Sequence, residues 1–296
     1  MDKYEALIER IVSEPGTVLI LGGIDSGKTT FAHRLLEASV AAGTGAALLD
    51  TDGGQGTVGP PTTIGLKLIG SLDDLEPANL ARADGLYFVG WISPQGHLLP
   101  WVAGTYKLMN RAIEAGPGLR VVDTTGLIAG VYGQVLKFHK LESVRPDYVV
   151  GFQRGEELEP LLGIARRFTP AHVESLPVHP AVVPVSAEDR AGRRRERLSA
   201  CFAEPLHRWR AKPTVFMPSF PPGSELVALD GLIVGMEDGK GNCVGLGLLE
   251  YHEEEQVLRI LSSVSEGVRA LRLGSTRVGP GWATSRVDLR QLFGTE

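Results

Sequence analysis

The sequence predicts an α/β protein in which a mainly parallel, doubly wound sheet is followed by a small antiparallel β domain. Strand-like apolar runs alternate with helical patterns over residues 1–210, which is typical of a parallel sheet with crossover helices. A glycine-rich loop joins the first apolar run to the first long helical pattern. A proline-rich stretch at 211–225 then gives way to short alternating runs separated by Asp-Gly and Gly-Asn turns. We therefore expect one domain over 1–210 and a second over 211–296.

Composition narrows the class of protein. The chain has 296 residues, of which 43% are hydrophobic and 22% are charged, and this favours a globular protein with a sizeable core. A net charge of −5 argues against a protein that coats nucleic acid, so any contact with a polyanion must be local. Two unpaired cysteines, Cys201 and Cys243, argue against a disulfide scaffold or a thiolate metal site. Neither a signal peptide nor a membrane-length apolar run is present, which predicts a cytoplasmic protein.

The first loop fits the pattern GxxxxGK[ST], between a strand predicted over 17–21 and a helix predicted over 28–42. Its glycines let backbone N–H groups surround phosphate oxygens, and the helix N-terminus adds positive potential. In this pattern Lys28 reaches the terminal phosphates and the Thr29 hydroxyl binds Mg²⁺. A chance match is the alternative, which the flanking strand and helix oppose. The expected P-loop NTPase site consists of Gly22, Gly23, Ile24, Asp25, Ser26, Gly27, Lys28, Thr29 and Thr30.

The next apolar run, 46–49, predicts a parallel strand that ends with Asp50 and Asp52. Ligands of an open α/β sheet bind at this edge. One carboxylate there can hold Mg²⁺ through water while another accepts a proton from an attacking hydroxyl, and the spacing does not decide between them. The glycines and prolines that follow predict a loop facing an acceptor substrate. Ordinary loop punctuation after a strand is the alternative.

The remaining elements of the sheet follow in chain order, beginning with a helix over 71–83 that opens with a capping box of Ser71 and Asp74. The others are a strand at 85–91, a helix at 99–115, a strand at 119–123, a helix at 130–143, a strand at 147–152, a helix at 156–167 and a strand near 181–185.

Two further stretches can contribute to a site. The segment 123–126, Asp-Thr-Thr-Gly, ends a predicted strand, and an ordinary strand-end turn is the alternative. Five arginines lie between Arg190 and Arg197, with Arg190, Arg194 and Arg197 on one helical face. Charge runs are often simply solvated. In a phosphoryl-transfer enzyme, however, guanidinium groups on a mobile helix neutralise charge on the migrating phosphoryl group.

Four of these segments together resemble the polynucleotide 5′-hydroxyl kinase family, in the single-chain form of archaeal and bacterial members. The family includes the kinase associated with eukaryotic pre-mRNA cleavage and tRNA splicing complexes. GGIDSGKTT is similar to its phosphate loop, and DTDGGQGTVGPPTTIGL to its D-x-D-x-G-Q signature and substrate-facing loop. YFVGWISPQGH is similar to the clasp that grips a substrate phosphate, and EDRAGRRRER to the arginine lid. The resemblance covers about residues 16–203.

The resemblance implies an ATP- and Mg²⁺-dependent kinase acting on the 5′-hydroxyl end of RNA, with single-stranded DNA as a further candidate substrate. It implies that Lys28 and Thr29 handle ATP and Mg²⁺, that Asp52 rather than Asp50 activates the hydroxyl, and that lid arginines clamp the γ-phosphoryl group. The implied catalytic set is Lys28, Asp52, Arg190 and Arg194, the metal set is Thr29, Asp50 and Asp52, and the acceptor set is Gln55, Thr62, Thr63, Trp91, Ser93, His97 and Thr125.

The sequence departs from the family at Leu127, where relatives carry a tryptophan that stacks on a base. Trp91 can take over this stacking, or it is simply buried at the end of a strand. His97, taken alone, is typical of an ordinary loop histidine. The C-terminal domain either extends the RNA surface or braces the kinase core, and its lack of basic character favours bracing.

Two other classes of function remain open. Asp123 and Gly126 fit the D-x-x-G element of a nucleotide-switch GTPase or ATPase that acts as an assembly factor, although no N-K-x-D motif and no cysteine–histidine cluster accompany it. The other class is a non-catalytic, ATP-bound RNA-binding scaffold, for which Asp52 and the arginine lid would be superfluous. Strong selectivity for GTP distinguishes the switch, and ATP retained without transfer distinguishes the scaffold.

Overall fold

The computed structural model describes residues 3–220 and 225–293 and divides the chain into two compact units. The first unit comprises Met1–Gly59, Ile64–Gly85 and Ser93–Ser186. The second unit comprises Pro60–Thr63, Leu86–Ile92 and Ala187–Glu296. The packing units therefore separate at residue 186, whereas the expected domain boundary lies at residue 210. Part of the proline-rich stretch on which that boundary rested, 221–224, lies outside the described residues.

The first sheet and its helices occupy the chain up to residue 177. Its elements are α1 (Lys3–Ser13), β1 (Thr17–Gly22), α2 (Lys28–Ala41), β2 (Ala46–Thr51), β3 (Thr63–Ile69), a 3₁₀ turn (Leu72–Leu75), α3 (Pro77–Leu80), β4 (Gly85–Phe88), α4 (Leu98–Ala115), β5 (Leu119–Thr124), α5 (Gly130–Val144), β6 (Tyr148–Gln153), α6 (Glu159–Phe168) and β7 (His172–Pro177).

The strand order of this sheet is β4-β3-β2-β5-β1-β6-β7. From β2 to β7 the neighbouring strands are parallel, whereas β3 runs antiparallel to β2. The predicted doubly wound, mainly parallel sheet is therefore confirmed. The register places Asp50 on β2 opposite Asp123 on β5, so both carboxylates lie at the carboxyl edge of the sheet, where ligands of such folds bind.

The strands are buried on both faces, as expected when helices cover a parallel sheet. On one face, Ile11 of α1 and Phe31 and Leu35 of α2 pack against Val18 and Ile20 of β1. The alternate strand residues point to the other face, where α4 and α5 pack against β2 and β1. Helices on both faces thus support the sheet and its carboxyl edge.

The structure differs from the sequence-based expectations at three places. No strand forms at 181–185, where Pro180 and Pro184 interrupt the run and Val183 is 78% exposed, and β7 is the last strand instead. β3 forms at Thr63–Ile69, where no strand is predicted and where the expected substrate-facing loop ends. The expected helix at 71–83 is divided into a 3₁₀ turn and the short α3, because Pro77 cannot lie inside a helix.

The predicted capping interaction before the 3₁₀ turn is present. The Asp74 carboxylate accepts hydrogen bonds from the backbone amides of Gly70 and Ser71, both at 2.9 Å. These bonds lower the pKa of Asp74.

The second unit contains an antiparallel sheet, as predicted for the C-terminal part. The strand order is β14-β13-β10-β11-β12-β8, and β9 pairs in parallel with β13. Its elements are α7 (Ala187–Ala200), β8 (His207–Arg210), β9 (Phe216–Met217), β10 (Leu232–Glu237), β11 (Cys243–His252), β12 (Val257–Ser262), β13 (Ala270–Val278), β14 (Thr284–Arg286) and α8 (Leu289–Phe293), with three short 3₁₀ turns between them.

The arginine-rich helix α7 belongs to this second unit because of its apolar face. Leu198 and the following Phe202 are buried with Ile233 and Leu246 of the sheet and with Phe88 from the 86–92 segment. Phe202 also stacks on Trp282 at 5.2 Å between ring centres. The packing of α7 explains why the compact units separate before this helix.

None of the helices within the described ranges combines the length and the apolar character needed to cross a membrane.

Candidate nucleotide and acceptor site

The structure places the nine predicted phosphate-loop residues between the end of β1 and the first turn of α2. The turn depends on left-handed backbone at Asp25 (φ 50°) and at Gly27 (φ 86°) immediately before α2. The irregular segment 178–186 lies against this loop, since the Val185 amide donates to the Asp25 carboxylate at 3.0 Å. The N-terminus of α2 and the preceding loop therefore present backbone N–H groups in the arrangement that binds phosphate.

Lys28 is buried and its side chain folds over the loop. Its Nζ donates to the Gly23 carbonyl at 2.6 Å and lies 3.4 Å from the Ser26 hydroxyl. Burial lowers the pKa of Lys28, while Asp123 and Asp52 act in the opposite direction. The ammonium group thus lies between the phosphate loop and the acidic strand ends.

Thr29 and Asp123 form the oxygen-rich part of the site. The Thr29 hydroxyl donates to Asp123 Oδ2 at 2.6 Å, while Asp123 Oδ1 is buried and has no hydrogen-bond partner in the described part of the chain. Burial raises the pKa of Asp123, and Lys28 and Thr29 oppose this shift. A hydroxyl beside an unsatisfied carboxylate oxygen is a donor set that suits a hard cation such as Mg²⁺. No group of three or more acidic, histidine or cysteine residues arranged for a metal occurs among the described residues.

Asp50 directs its carboxylate into the chain rather than toward a ligand. Its oxygens accept hydrogen bonds from the amides of Asp52 (3.1 Å), Thr57 and Val58 (3.2 Å) and from the Thr57 hydroxyl (3.0 Å). Burial, aided by the negative charges of Asp123 and Asp52, raises the pKa of Asp50 to about 6. These contacts show what occupies the Asp50 carboxylate in this structure, and its metal-ligand role stays a prediction. Asp50 shapes the 52–58 loop, because its carboxylate accepts the hydrogen bonds of several groups in that loop.

Asp52 has a different environment. It is half-buried, and its Oδ1 accepts hydrogen bonds from the amides of Gly54 and Gln55, both at 2.9 Å, which closes a tight turn. Its Oδ2 accepts no hydrogen bond from any residue that the structure describes. One carboxylate oxygen of Asp52 is therefore available for a substrate.

The predicted acceptor residues lie at several positions. Gln55 is exposed in the 52–58 loop, and Ser93 and His97 are half-buried just before α4. Thr125 is buried, and its hydroxyl accepts a hydrogen bond from the Leu127 amide at 3.3 Å. All four belong to the first unit.

Thr62, Thr63 and Trp91 are counted with the second unit. Thr62 has φ 70°, which is strained for a β-branched residue, and its buried hydroxyl has no partner among the described residues. Thr63 donates to the Pro60 carbonyl at 2.7 Å, and Trp91 is half-buried. The strained backbone and unsatisfied hydroxyl make Thr62 the strongest of these three as a ligand-binding residue.

Arg190 and Arg194 lie one turn apart on α7 of the second unit, and both are half-buried. Their helix is held by Leu198, one turn further on.

Sequence reasoning missed two lysines on α5. Lys137 and Lys140 are completely buried, and their Nζ atoms donate to the Thr125 carbonyl at 2.7 Å and to the Thr51 hydroxyl at 2.6 Å. Burial lowers the pKa of Lys137 well below its usual value and that of Lys140 to about 7. Their helical spacing with the buried residues Leu136 and Leu141 was the signal that could have revealed them.

A strand, a glycine-rich loop and a helix that opens with Lys28 and Thr29, facing Asp123 across the sheet edge, define a P-loop nucleotide-binding protein. The chain belongs to the family of the mRNA cleavage and polyadenylation factor CLP1 P-loop, whose model matches residues 22–204. The predicted family resemblance is thereby confirmed, and nucleotide binding follows from family membership.

Curated relatives carry a consistent name. The chain is 28% identical to a polyribonucleotide 5′-hydroxyl-kinase of Methanocaldococcus jannaschii, over 94% of this chain and 91% of the relative. It is 29% identical to the protein of that name in Thermococcus kodakarensis, over 92% and 91% of the two chains. Identity to the protein of that name in Pyrococcus horikoshii reaches 36%, but the match spans 54% of this chain and 44% of the relative.

Solved structures extend the comparison of fold. Two structures of Clp1p with Pcf11p match with TM-scores of 0.68 and 0.70, at 15% and 16% identity. Each match covers 92% of this chain, and 77% and 78% of the respective Clp1p chains. The similarity confirms the expected order of a P-loop domain followed by an antiparallel β domain.

Proposed function

We propose that this protein is an ATP-dependent polynucleotide kinase that transfers the γ-phosphate of ATP to the 5′-hydroxyl end of RNA, with single-stranded DNA ends as a further candidate substrate. The observation that carries the proposal is the available carboxylate oxygen of Asp52 at the same sheet edge as the phosphate loop. The shared name of the archaeal relatives supports the same reaction.

On the donor side, the backbone amides of residues 22–28 and the ammonium of Lys28 bind the phosphates of ATP. Thr29 and Asp123 are the residues that would hold Mg²⁺, because they combine a hydroxyl with an unsatisfied carboxylate oxygen. When bound, Mg²⁺ offsets the negative charge of the β- and γ-phosphate oxygens. Lys28 moves its donor hydrogen bonds from the loop carbonyl to phosphate oxygens as the nucleotide enters.

On the acceptor side, Asp52 accepts the proton of the 5′-hydroxyl while that oxygen attacks the γ-phosphorus. The new O–P bond forms as the bond to the leaving ADP oxygen breaks, in line with the attack. Arg190 and Arg194 neutralise charge that develops on the transferred group. The residues proposed to hold the RNA end are Gln55, Thr62, Thr63, Trp91, Ser93, His97 and Thr125.

The test uses γ-labelled ATP with matched 5′-hydroxyl RNA and DNA oligonucleotides. Lys28→Ala and Asp52→Ala proteins should each lose at least a hundredfold of the transfer rate, because one removes a phosphate contact and the other the base. Asp73→Ala, at an exposed position on the 3₁₀ turn, is the matched control and should retain the wild-type rate.

Label on the RNA, lost in both variants, supports the kinase. Label released only as free phosphate, whatever oligonucleotide is present, would mean a nucleotide switch or a scaffold instead. Comparing ATP with GTP in the same assay separates the switch from the other two. We further propose that the protein acts in the cytoplasm.

A further inference from the structure

Two lysines are enclosed in the first unit on the inner face of α5. Lys137 and Lys140 are one helical turn apart and have no exposed surface. A buried lysine is rare unless an opposite charge compensates it, because removing an ammonium group from water is costly. Neither lysine forms an ion pair within the described ranges. A methionine would fill the same volume without that cost, so volume alone does not explain the amino groups.

Lys140 contacts two elements of the acceptor side directly and a third through Thr51. Its Nζ donates to the Thr51 hydroxyl at 2.6 Å, and that hydroxyl donates to the Asp123 carbonyl at 2.7 Å. The same Nζ lies 5.8 Å from the ring centre of Trp101, within the range of a cation–π contact. One amino group therefore connects the ends of β2 and β5 with the first turn of α4.

The two residues that Lys140 contacts, Thr51 and Trp101, are neighbours in sequence of the proposed acceptor residues. Thr51 lies between Asp50, which shapes the loop, and Asp52, which has the available oxygen. Trp101 is fully buried and follows the predicted clasp segment, 87–97, by four residues. Lys140 therefore lies between the end of β2, which carries the proposed base Asp52, and α4, which follows the predicted clasp segment.

Lys137 makes a similar contact one turn earlier. Its Nζ donates to the Thr125 carbonyl at 2.7 Å, just beyond the end of β5. The two lysines thus hold two neighbouring strand ends from the same helix face.

We propose that Lys140, assisted by Lys137, is a positioning residue of the acceptor side, which fixes the strand end bearing Asp52 relative to the first turn of α4. This inference rests on the proposed kinase function. Asp52, Asp50 and Asp123 all act on the pKa of Lys140, which places the lysine in the same electrostatic cluster. This role concerns the position at which the RNA 5′-hydroxyl meets Asp52. The binding of ATP does not depend on it, because ATP is bound by the phosphate loop.

The primary test compares Lys140→Met and Lys137→Met with Lys67→Met. Lys67 is another largely buried lysine, located on β3 and 3.8 Å from Asp84, and it serves as the matched control. For each protein we would measure kcat and KM for RNA phosphorylation, ATP hydrolysis without RNA, and thermal unfolding.

Lys140→Met should lower kcat for transfer at least tenfold, with KM for ATP and RNA-independent hydrolysis within about twofold of wild type. Lys137→Met should show a smaller loss of the same kind. The melting temperature of Lys140→Met should be no lower than that of Lys67→Met, since replacing a buried charge with an apolar group of similar volume is often neutral or stabilising.

Thr51→Val removes the same hydrogen bond from its other side, together with the bond from the Thr51 hydroxyl to the Asp123 carbonyl. It provides a second variant if Lys140→Met fails to fold. Thr51→Val should reproduce most of the Lys140→Met loss, and the double variant should lose little more than either single one. Additive losses would overturn the proposal.

Transfer by Lys140→Met at the wild-type rate would also overturn it, as would a parallel loss of hydrolysis, ATP affinity and stability. A wild-type protein that transfers nothing would instead refute the proposed function, which is a separate and recognisable outcome.

Discussion

At the scale of single residues, Asp50 and Asp52 show how the backbone separates two identical side chains. Asp50 accepts four hydrogen bonds from the 52–58 loop, whereas Asp52 uses one oxygen for a turn and leaves the other available. The sequence placed both at a strand end but could not rank them, because only the path of the loop decides which carboxylate is surrounded by amides.

Asp50→Asn should destabilise the protein by about 1–3 kcal/mol, since an amide nitrogen cannot accept the bonds that one carboxylate oxygen now accepts. Transfer should fall with it, because the loop carrying Gln55 loses its common acceptor. Chemical denaturation and the labelling assay measure the two effects. Asp73→Asn is the control, and an Asp50→Asn protein as stable as this control would contradict the assigned role.

The buried lysine Lys140 gives stability a specific dependence on pH. Burial lowers its pKa from the usual value of 10.5 to about 7, so between pH 7 and 10.5 the unfolded chain holds a proton that the folded protein has lost. The free energy of unfolding therefore rises with pH across this window. The part of it that comes from the neutral Lys140 amine is lost as pH falls through 7.

Thermal unfolding of the wild type and of Lys140→Met from pH 6.5 to 9.5 tests this dependence. The wild type should gain stability relative to the variant as pH rises. A constant difference between the two proteins would show that Lys140 keeps an ordinary pKa.

The phosphate loop was predictable residue by residue because its pattern is local: one strand, one turn and one helix dictate it. The buried lysines were not, because lysine ordinarily lies on the surface and their role depends on strand ends far away in sequence. A helical projection of 130–144 would have placed Lys137 and Lys140 with Leu136, Leu141 and Val144 on one face.

At the scale of elements, β3 is the feature that sequence reasoning missed. Its run TIGLKLI follows a stretch rich in glycine and proline. Because such stretches are typical of loops, the strand was not predicted. Gly65 explains why the strand and the loop belong together: a Cβ at this position would lie 2.6 Å from Val58 Cγ1 and 2.7 Å from the Val58 carbonyl oxygen. The 52–58 loop therefore rests directly on β3. At 181–185 the opposite occurs: the apolar residues predict a strand, but Pro180 and Pro184 prevent one from forming.

Gly65→Ala should destabilise the protein by about 1–3 kcal/mol, because the added methyl group meets buried backbone that cannot move freely. The displaced loop should lower transfer more than ATP binding. Gly45→Ala is the control, since a Cβ there has 3.8 Å to its nearest neighbour. Equal behaviour of the two variants in denaturation would disprove the close packing of loop on strand.

At the scale of the whole molecule, the second unit is more than an appended β domain. It contains the helix with the proposed lid arginines, and that helix is anchored by Leu198 and Phe202 in a core shared with the sheet. Local patterns revealed the alternating C-terminal strands and the helix separately. They could not reveal that the two pack together, because this depends on contacts distant in sequence.

Phe202→Ala should cost about 3–5 kcal/mol of stability in the second unit, as expected for a buried aromatic residue that also stacks on Trp282. Transfer should fall because α7 loses its anchor, while the first unit should still bind ATP. Phe168→Ala, at a position 64% exposed on α6, should change stability by less than about 1 kcal/mol. Unfolding curves and ATP titrations provide the measurement, and loss of ATP binding by Phe202→Ala would contradict this division of labour.

The discontinuous second unit also imposes an order of events during synthesis. Phe88 is fully buried, and Cβ atoms at Gly235 and Gly274 would collide with its ring, so its partners emerge from the ribosome roughly 150 residues after it. At about 5–20 residues per second, this leaves Phe88 without its contact with Gly235 of the second sheet for about 7–30 seconds. The nascent chain can complete the phosphate loop and its sheet in that interval, yet Phe88 lacks its contacts with the second sheet until β10 arrives. Translation therefore delivers the phosphate loop before the part of the protein that carries the proposed lid arginines.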